Sequence, residues 1–256
     1  MEVVEAGVRA EPGREPSVAG AALPGASCRI SLLGGFGLSD GRHDVAVSEG
    51  SQRLLAFLAV SRRPVRRVLV AGTLWPLSTE AHAYSNLRSA LARLDGARPA
   101  VVVGGSDLGV AASATVDLWD AVALAHRLLS CAPGVSAHGS LPGDLAALSA
   151  DLLPGWYDDW AIAESEGWRQ LRLHALEALA GTLTAEGSYG GAALAALCAI
   201  RADPLRESPR AALIRVHLAE GNPSEAVREL SRYRDLLGDE LHLEPTARLR
   251  DLVERR

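Results

Sequence analysis

The back half of the chain repeats itself. Ala185-Glu186-Gly187 recurs as Ala219-Glu220-Gly221 and Ala192 answers Ala226, an offset of 34 residues, which is the period of a tetratricopeptide helix pair. Around that repeat, Trp160 to Glu186, Tyr189 to Ala202, Ser208 to Glu220 and Ser224 to Leu237 are apolar-periodic segments, parted by Gly187, Asp203-Pro204 and Gly221-Asn222-Pro223. A single helix pair cannot bury its apolar face alone, so such segments must stack. The stack presents a concave surface to peptides, partner helices or another copy of the chain. Glycines at 187, 190 and 191 are expected to loosen the first repeat.

The front half has another rhythm. Arg29 to Leu33, Gly37 to Ser39 and Asp44 to Val47 read as short strands of a small antiparallel sheet, with Asp40-Gly41 as a tight turn. From Ser51 the period becomes helical, with Leu54, Leu55, Leu58 and Ala59 on one side and Pro64 as the stop. Val68 to Trp75 makes a second, shorter helix ended by Pro76, and Ser78 or Thr79 caps a third that runs to about Leu94. Ala100 to Val103 and Leu108 to Ala111 then flank the polar tip Gly104-Gly105-Ser106-Asp107 as a hairpin. Sheet, three helices and hairpin in this order are those of a winged helix-turn-helix. A helix over Leu118 to Leu129 and a linker-like stretch, Ser130 to Pro142, lead into the repeats.

The predicted fold is therefore mainly α: a winged helix-turn-helix followed by an all-α tetratricopeptide-like domain. The expected division is a disordered lead over 1–27, where Pro12, Pro16 and Pro24 stand among Gly, Ala and charges, then 28–112, a connecting helix and loop over 113–150, and the repeats over 151–256. Charge follows the same division. The net charge of -5 hides a segment from Cys28 to Arg98 with ten arginines against five acids, so a basic front is joined to an acidic back; every cation is Arg, since the chain has no Lys. Cys28, Cys131 and Cys198 are odd in number and far apart, which suits small hydrophobic packing and neither disulfides nor a metal. No apolar run approaches the roughly 18 residues of a membrane span and the start has no apolar signal core, so a cytoplasmic protein is expected.

Leu32-Leu33-Gly34-Gly35-Phe36, Gln52 to Ala59, Gly72-Thr73-Leu74-Trp75-Pro76 and Asn86 to Leu91 resemble the DNA-binding domain of the SARP (antibiotic regulatory protein) activators. Leu152-Leu153-Pro154-Gly155-Trp156-Tyr157-Asp158-Asp159-Trp160, Arg169 to Leu179, Arg201 to Ser208, His217 to Asn222 and Glu240 to Pro245 resemble their bacterial transcriptional activator domain. The resemblance runs from about Arg29 to the C-terminus. It implies an activator that binds repeats upstream of a promoter and recruits RNA polymerase. The chain departs from the pattern at Ala92 and Asp95, where an arginine-rich helix end is expected, leaving Arg88 and Arg93 as the cations there.

On the third helix Ala83, Leu87, Ala90, Leu91 and Leu94 make the buried stripe, which leaves His82, Ser85, Asn86, Ser89 and Arg93 off the core, with Arg88 beside them. Arg to guanine and Asn to adenine are the best bidentate base contacts, and these residues are the expected readers of double-stranded DNA. Arg62, Arg63, Arg66 and Arg67 stand between the first two helices as candidates for holding phosphates, with Ser106 at the hairpin tip. A solvated charge run is an equal reading of those arginines. Gly34-Gly35-Phe36-Gly37 precedes a strand and reads as a turn, not a phosphate cradle, while Asp158 and Asp159 lack a nucleophile or metal ligand nearby. His174 and His217 read as core or boundary residues. A non-enzymatic, sequence-specific regulator without cofactor or metal is expected, with DNA, RNA polymerase and another copy of the chain as partners. The alternative is a protein-interaction module whose winged helix no longer binds DNA.

Overall fold

The computed structural model describes residues 28–130 and 141–254, the side chains of 95 and 96 excepted. The proposed lead, Cys131, most of the linker and the Asp95 carboxylate lie outside that range. The chain opens with β1 (Arg29–Ser31) and β2 (Gly37–Ser39), antiparallel with Ile30 opposite Leu38. Between them Gly34 and Gly35 take φ of 78° and 137°, a turn that only glycine adopts freely. No third antiparallel strand forms over Asp44 to Val47. The Asp40 carboxylate accepts the backbone N–H groups of Arg42 (2.9 Å) and His43 (2.8 Å), and the returning chain makes one bridge, Ser39 to Asp44, before it leaves the sheet.

Next come α1 (Glu49–Ser61), β3 (Val65–Arg66), α2 (Arg67–Leu74) and α3 (Glu80–Ala92). Helix α1 begins earlier than its apolar period suggests, because Ser48 caps it. It is buried nearly all round from Leu54 to Val60 and forms the axis of the unit. A 3-10 turn (Asp95–Ala100) leads to β4 (Val101–Gly104) and β5 (Asp107–Val110), a hairpin whose tip is Gly105-Ser106, shorter than the four residues expected. β5 lies between β4 and the two-residue β3, with Val65 opposite Leu108.

β6 (Thr115–Val116) returns to the first sheet and pairs with β1 in parallel, Ile30 opposite Val116, so the sheet is mixed in the order β2-β1-β6. It leads into α4 (Asp117–Ser130), whose first side chain clamps the sheet: the Asp117 carboxylate accepts the backbone N–H groups of Leu32 (2.8 Å) and Leu33 (3.2 Å). Leu141 and Pro142, read from sequence as linker, begin the helix α5 (Leu141–Ser149).

The repeats are α6 (Asp159–Ala185), α7 (Tyr189–Ala202), α8 (Glu207–Glu220) and α9 (Pro223–Leu241), followed by a further short helix, α10 (Ala247–Glu254), that apolar spacing does not announce. The 34-residue period reaches the level of hydrogen bonds. Ser188 N–H donates to the Leu183 carbonyl and Asn222 N–H to the His217 carbonyl, both at 2.8 Å, around Gly187 and Gly221 at φ of 76° and 85°. This is the closing pattern of a helix end that needs a left-handed residue. Ala192 and Ala226 are both fully buried. Gly191 does not loosen its helix pair: a Cβ there would stand 2.8 Å from Leu141 Cδ2, so its absence lets α5 close on α7.

One apolar core runs from Ile30 through α1 and α4 to Val216 of α8, and a second gathers around Tyr233 between α8, α9 and α10. The two halves interlock. Leu153 N–H donates to the Leu32 carbonyl and Gly34 N–H to the Asp151 carbonyl, which laces the approach to α6 along β1. Trp160 meets Phe57 edge-on at 5.4 Å and Trp156 at 6.0 Å, Trp156 lies 6.2 Å from Phe36, and Arg53 pairs with Asp158 across the junction. Arg172, nearly fully buried, pairs with Asp151 and donates to the Ser149 carbonyl at 2.9 Å.

Candidate nucleic-acid interface

Helices α2 and α3 are joined by a tight turn through Trp75 and Pro76. α3 starts where Thr79 accepts the His82 N–H and Glu80 sits in the first turn, beside the positive end of the helix dipole. Ala83, Leu87 and Ala90 bury its inner face, while Leu91 is only half-buried. α1 holds it from beneath. Ser51, a buried hydroxyl, donates to the Ala90 carbonyl at 2.9 Å and contacts Ser48 Oγ, so this polar group is satisfied inside the core.

With α3 seated this way, the residues that face directly away from the core are Ala81, Ser85, Arg88, Ser89 and Ala92, all exposed. The other expected readers lie to one flank. Asn86 is half-buried and lines a crevice of about 300 Å³ with Arg93, Ser89, Trp75 and the start of α1 at Ser48 to Gly50. His82 is exposed on the same side by helical spacing. Arg93 caps the helix end and has no ion pair among the described residues.

A second group assembles at the hairpin tip. The Arg67 N–H donates to the Ser106 carbonyl at 2.8 Å, and Arg66 stands opposite Asp107 in the β3–β5 register. Arg66 and Ser106 are exposed, with the Ser106 hydroxyl on Asp107 at 3.1 Å, while Arg67 is half-buried and its Nε has no hydrogen-bond partner. Thus Arg66, Arg67 and Ser106 come together, a meeting across 40 residues that spacing does not reveal. Arg62 goes elsewhere. It adopts a left-handed backbone as the α1 cap and reaches the Leu118 carbonyl at 3.4 Å, and burial draws its pKa below the ordinary arginine value against the opposing effect of Glu164.

The remaining motifs take structural places. Asp158 is committed to Arg53, and His174 is exposed on α6 beside Arg206 instead of in the core. Cys28 and Cys198 are free and buried, and burial raises the Cys28 thiol pKa. Among the described residues no three His, Cys, Asp or Glu side chains gather as a metal site, and no helix is long and apolar enough to cross a membrane.

A helix-turn-helix with a hairpin wing, locked onto a stack of helix pairs, is the architecture these contacts define. The family model of the bacterial transcriptional activator domain matches residues 106–255. That is more than half of the chain, and the chain belongs to this family of transcriptional regulators. The fold as a whole is similar to that of Mycobacterium tuberculosis EmbR, solved in complex with a low-affinity phosphopeptide, with a TM-score of 0.63 and 22% identity over 89% of this chain and 64% of that one. At this identity the likeness is one of fold, and the chain spans 64% of the length of the EmbR chain. A sequence comparison with curated proteins gives no match.

Proposed function

We propose that the protein is a sequence-specific, DNA-binding transcriptional activator in which α3 reads the major groove. The observation that carries this is the seating of α3: one face is fixed on α1, and the other holds Ser85, Arg88 and Ser89 exposed. Arg66, Arg67 and Ser106, at the junction of α2 and the wing, hold phosphates and set register, while Arg93, Asn86 and His82 approach the backbone or a base from the α1 side. On this reading residues 28–112 form the reading unit, 113–150 the connection and 151–256 the bulk of the activator domain, whose family match begins earlier, at residue 106, in a cytoplasmic protein that works without a cofactor.

On this reading the partners are promoter-proximal DNA repeats, RNA polymerase and a second copy of the chain. Val68 and Leu69 on α2 and the fully exposed Leu77 in the turn are large apolar side chains left uncovered on the elements that precede the reading helix, suited to the polymerase contact. These exposed apolar side chains favour a second reading, a winged helix used for protein contact alone, as does the outward face of α3, which carries a single arginine between Ala81 and Ala92. Binding of the full chain to its own upstream DNA at two salt concentrations decides between them. Sequence-specific binding that weakens steeply with salt and is lost in an Arg88→Ala/Arg93→Ala variant is the expected result. Absence of binding to that DNA and to a random-sequence pool would leave the protein-contact reading.

A further inference from the structure

The far end of the molecule holds a cleft of about 610 Å³ between the second half of α6, the start of α8 and α10. That is the size of a site for a small organic molecule. Its apolar floor is Ala211, Ala212, Leu249 and Leu252. On the α6 wall Gly181 leaves room, since a Cβ built there meets nothing within 4 Å.

The charged side chains of the cleft fall into two kinds. Glu177 accepts from Arg206 Nε at 3.1 Å and from the Ser208 hydroxyl at 2.7 Å, and Glu207 accepts from the Thr246 N–H at 2.9 Å and from its hydroxyl. Both carboxylates tie α6, α8 and the approach to α10 together; Glu177 is matched by the Arg206 guanidinium, whereas Glu207 meets only neutral donors and keeps its charge, so the cleft sets two arginines, Arg215 and Arg248, against one unmatched carboxylate. Arg215 on α8 and Arg248 on α10 are exposed and have no ion-pair or hydrogen-bond partner among the described residues. Two uncommitted guanidiniums above an apolar floor are complementary to an oxyanion carried on an apolar body.

We propose that this cleft binds a small amphipathic anion, with its oxyanion held by Arg215 and Arg248 and its apolar part on Leu249, Leu252 and the space over Gly181. A peptide fits less well. It would need acceptors and donors along its backbone, yet the hydroxyls of the cleft are engaged, Ser208 with Glu177 and Thr184 with the Ala180 carbonyl at 2.6 Å. The site stands on α6, α8 and α10 alone, so it holds or fails independently of DNA reading.

The test uses the full chain and two dyes, anionic 8-anilinonaphthalene-1-sulfonate and its neutral relative N-phenyl-1-naphthylamine. One saturable site for the anionic dye is expected, displaced by decanoate and not by decanol. An Arg215→Gln/Arg248→Gln variant should bind it about tenfold or more weakly, as the loss of charge-assisted hydrogen bonds requires. Gly181→Leu should abolish binding while the circular dichroism and melting temperature are kept, because the new side chain enters open space and leucine favours a helix interior over glycine. Lack of a saturable site, an affinity unchanged in both variants, or equal affinity for the neutral dye would overturn the assignment. So would capture of an octaglutamate peptide with no uptake of the anionic dye, which would make the cleft a peptide groove.

Discussion

Arg88 and Arg93 are five positions apart on one helix, and at about 100° per residue that spacing sends them to different sides. Arg88 points straight out from the core, whereas Arg93 ends the helix beside the start of α1. Their removal should therefore differ. Arg88→Ala is expected to cost about 1–3 kcal/mol at the cognate site and to relax base preference there, and Arg93→Ala to weaken all sequences alike and lower the salt slope by about 1, both read by fluorescence anisotropy. Periodicity made the exposed set legible at this scale, but not the crevice that half-buries Asn86, because the crevice depends on where α1 lies. Glu166 shows a different residue-level effect. Hydrogen bonds from Arg169 and Gln170 hold its carboxyl at about 2, below its ordinary 4.5. A depressed folded-state value means that its contribution is present above the ordinary carboxyl range and is lost as pH falls from there toward about 2. A carboxyl NMR titration should place its midpoint there, and Arg169→Ala should return it toward the ordinary value.

At the scale of elements, long periodic segments were legible and short ones were not. α1, α3 and α6 to α9 announce themselves by apolar spacing and by Pro or Gly stops. β3 and β6 are two residues each and have no period to read, and α10 has four charged residues among its eight, Arg248, Arg250, Asp251 and Glu254, with one buried anchor, Leu249. α5 was hidden by Pro142-Gly143 at its start, a pair that reads as loop unless the packing of Leu148 is known. β6 matters most among these short elements, because the residue after it is Asp117, the clamp on Leu32 and Leu33. Asp117→Ala leaves the Leu32 and Leu33 N–H groups without their acceptor and should lower stability in urea by about 2 kcal/mol, with the m-value unchanged.

Over the whole molecule, the order of the two units and their opposite charge were readable from sequence, but the junction was not. Its contacts join residues far apart in the chain, Phe36 with Trp156 and Arg53 with Asp158, and no local signal links them. The interlock ties the unit that carries α3 to the helix stack through the Phe36–Trp156 and Phe57–Trp160 ring contacts and the Arg53–Asp158 pair. On the proposed DNA-reading role, a helix with a fixed bearing toward the rest of its protein would meet each DNA site in one orientation, and copies bound side by side and touching through their helical halves would have little rotational slack. Such an assembly would measure distance in turns of the double helix. Inserting about five base pairs between two bound repeats should abolish cooperative binding in a footprinting titration, and inserting a full turn of about 10.5 should restore most of it. In this protein the aromatic junction between the two units would act as the ruler that sets the phase of its target.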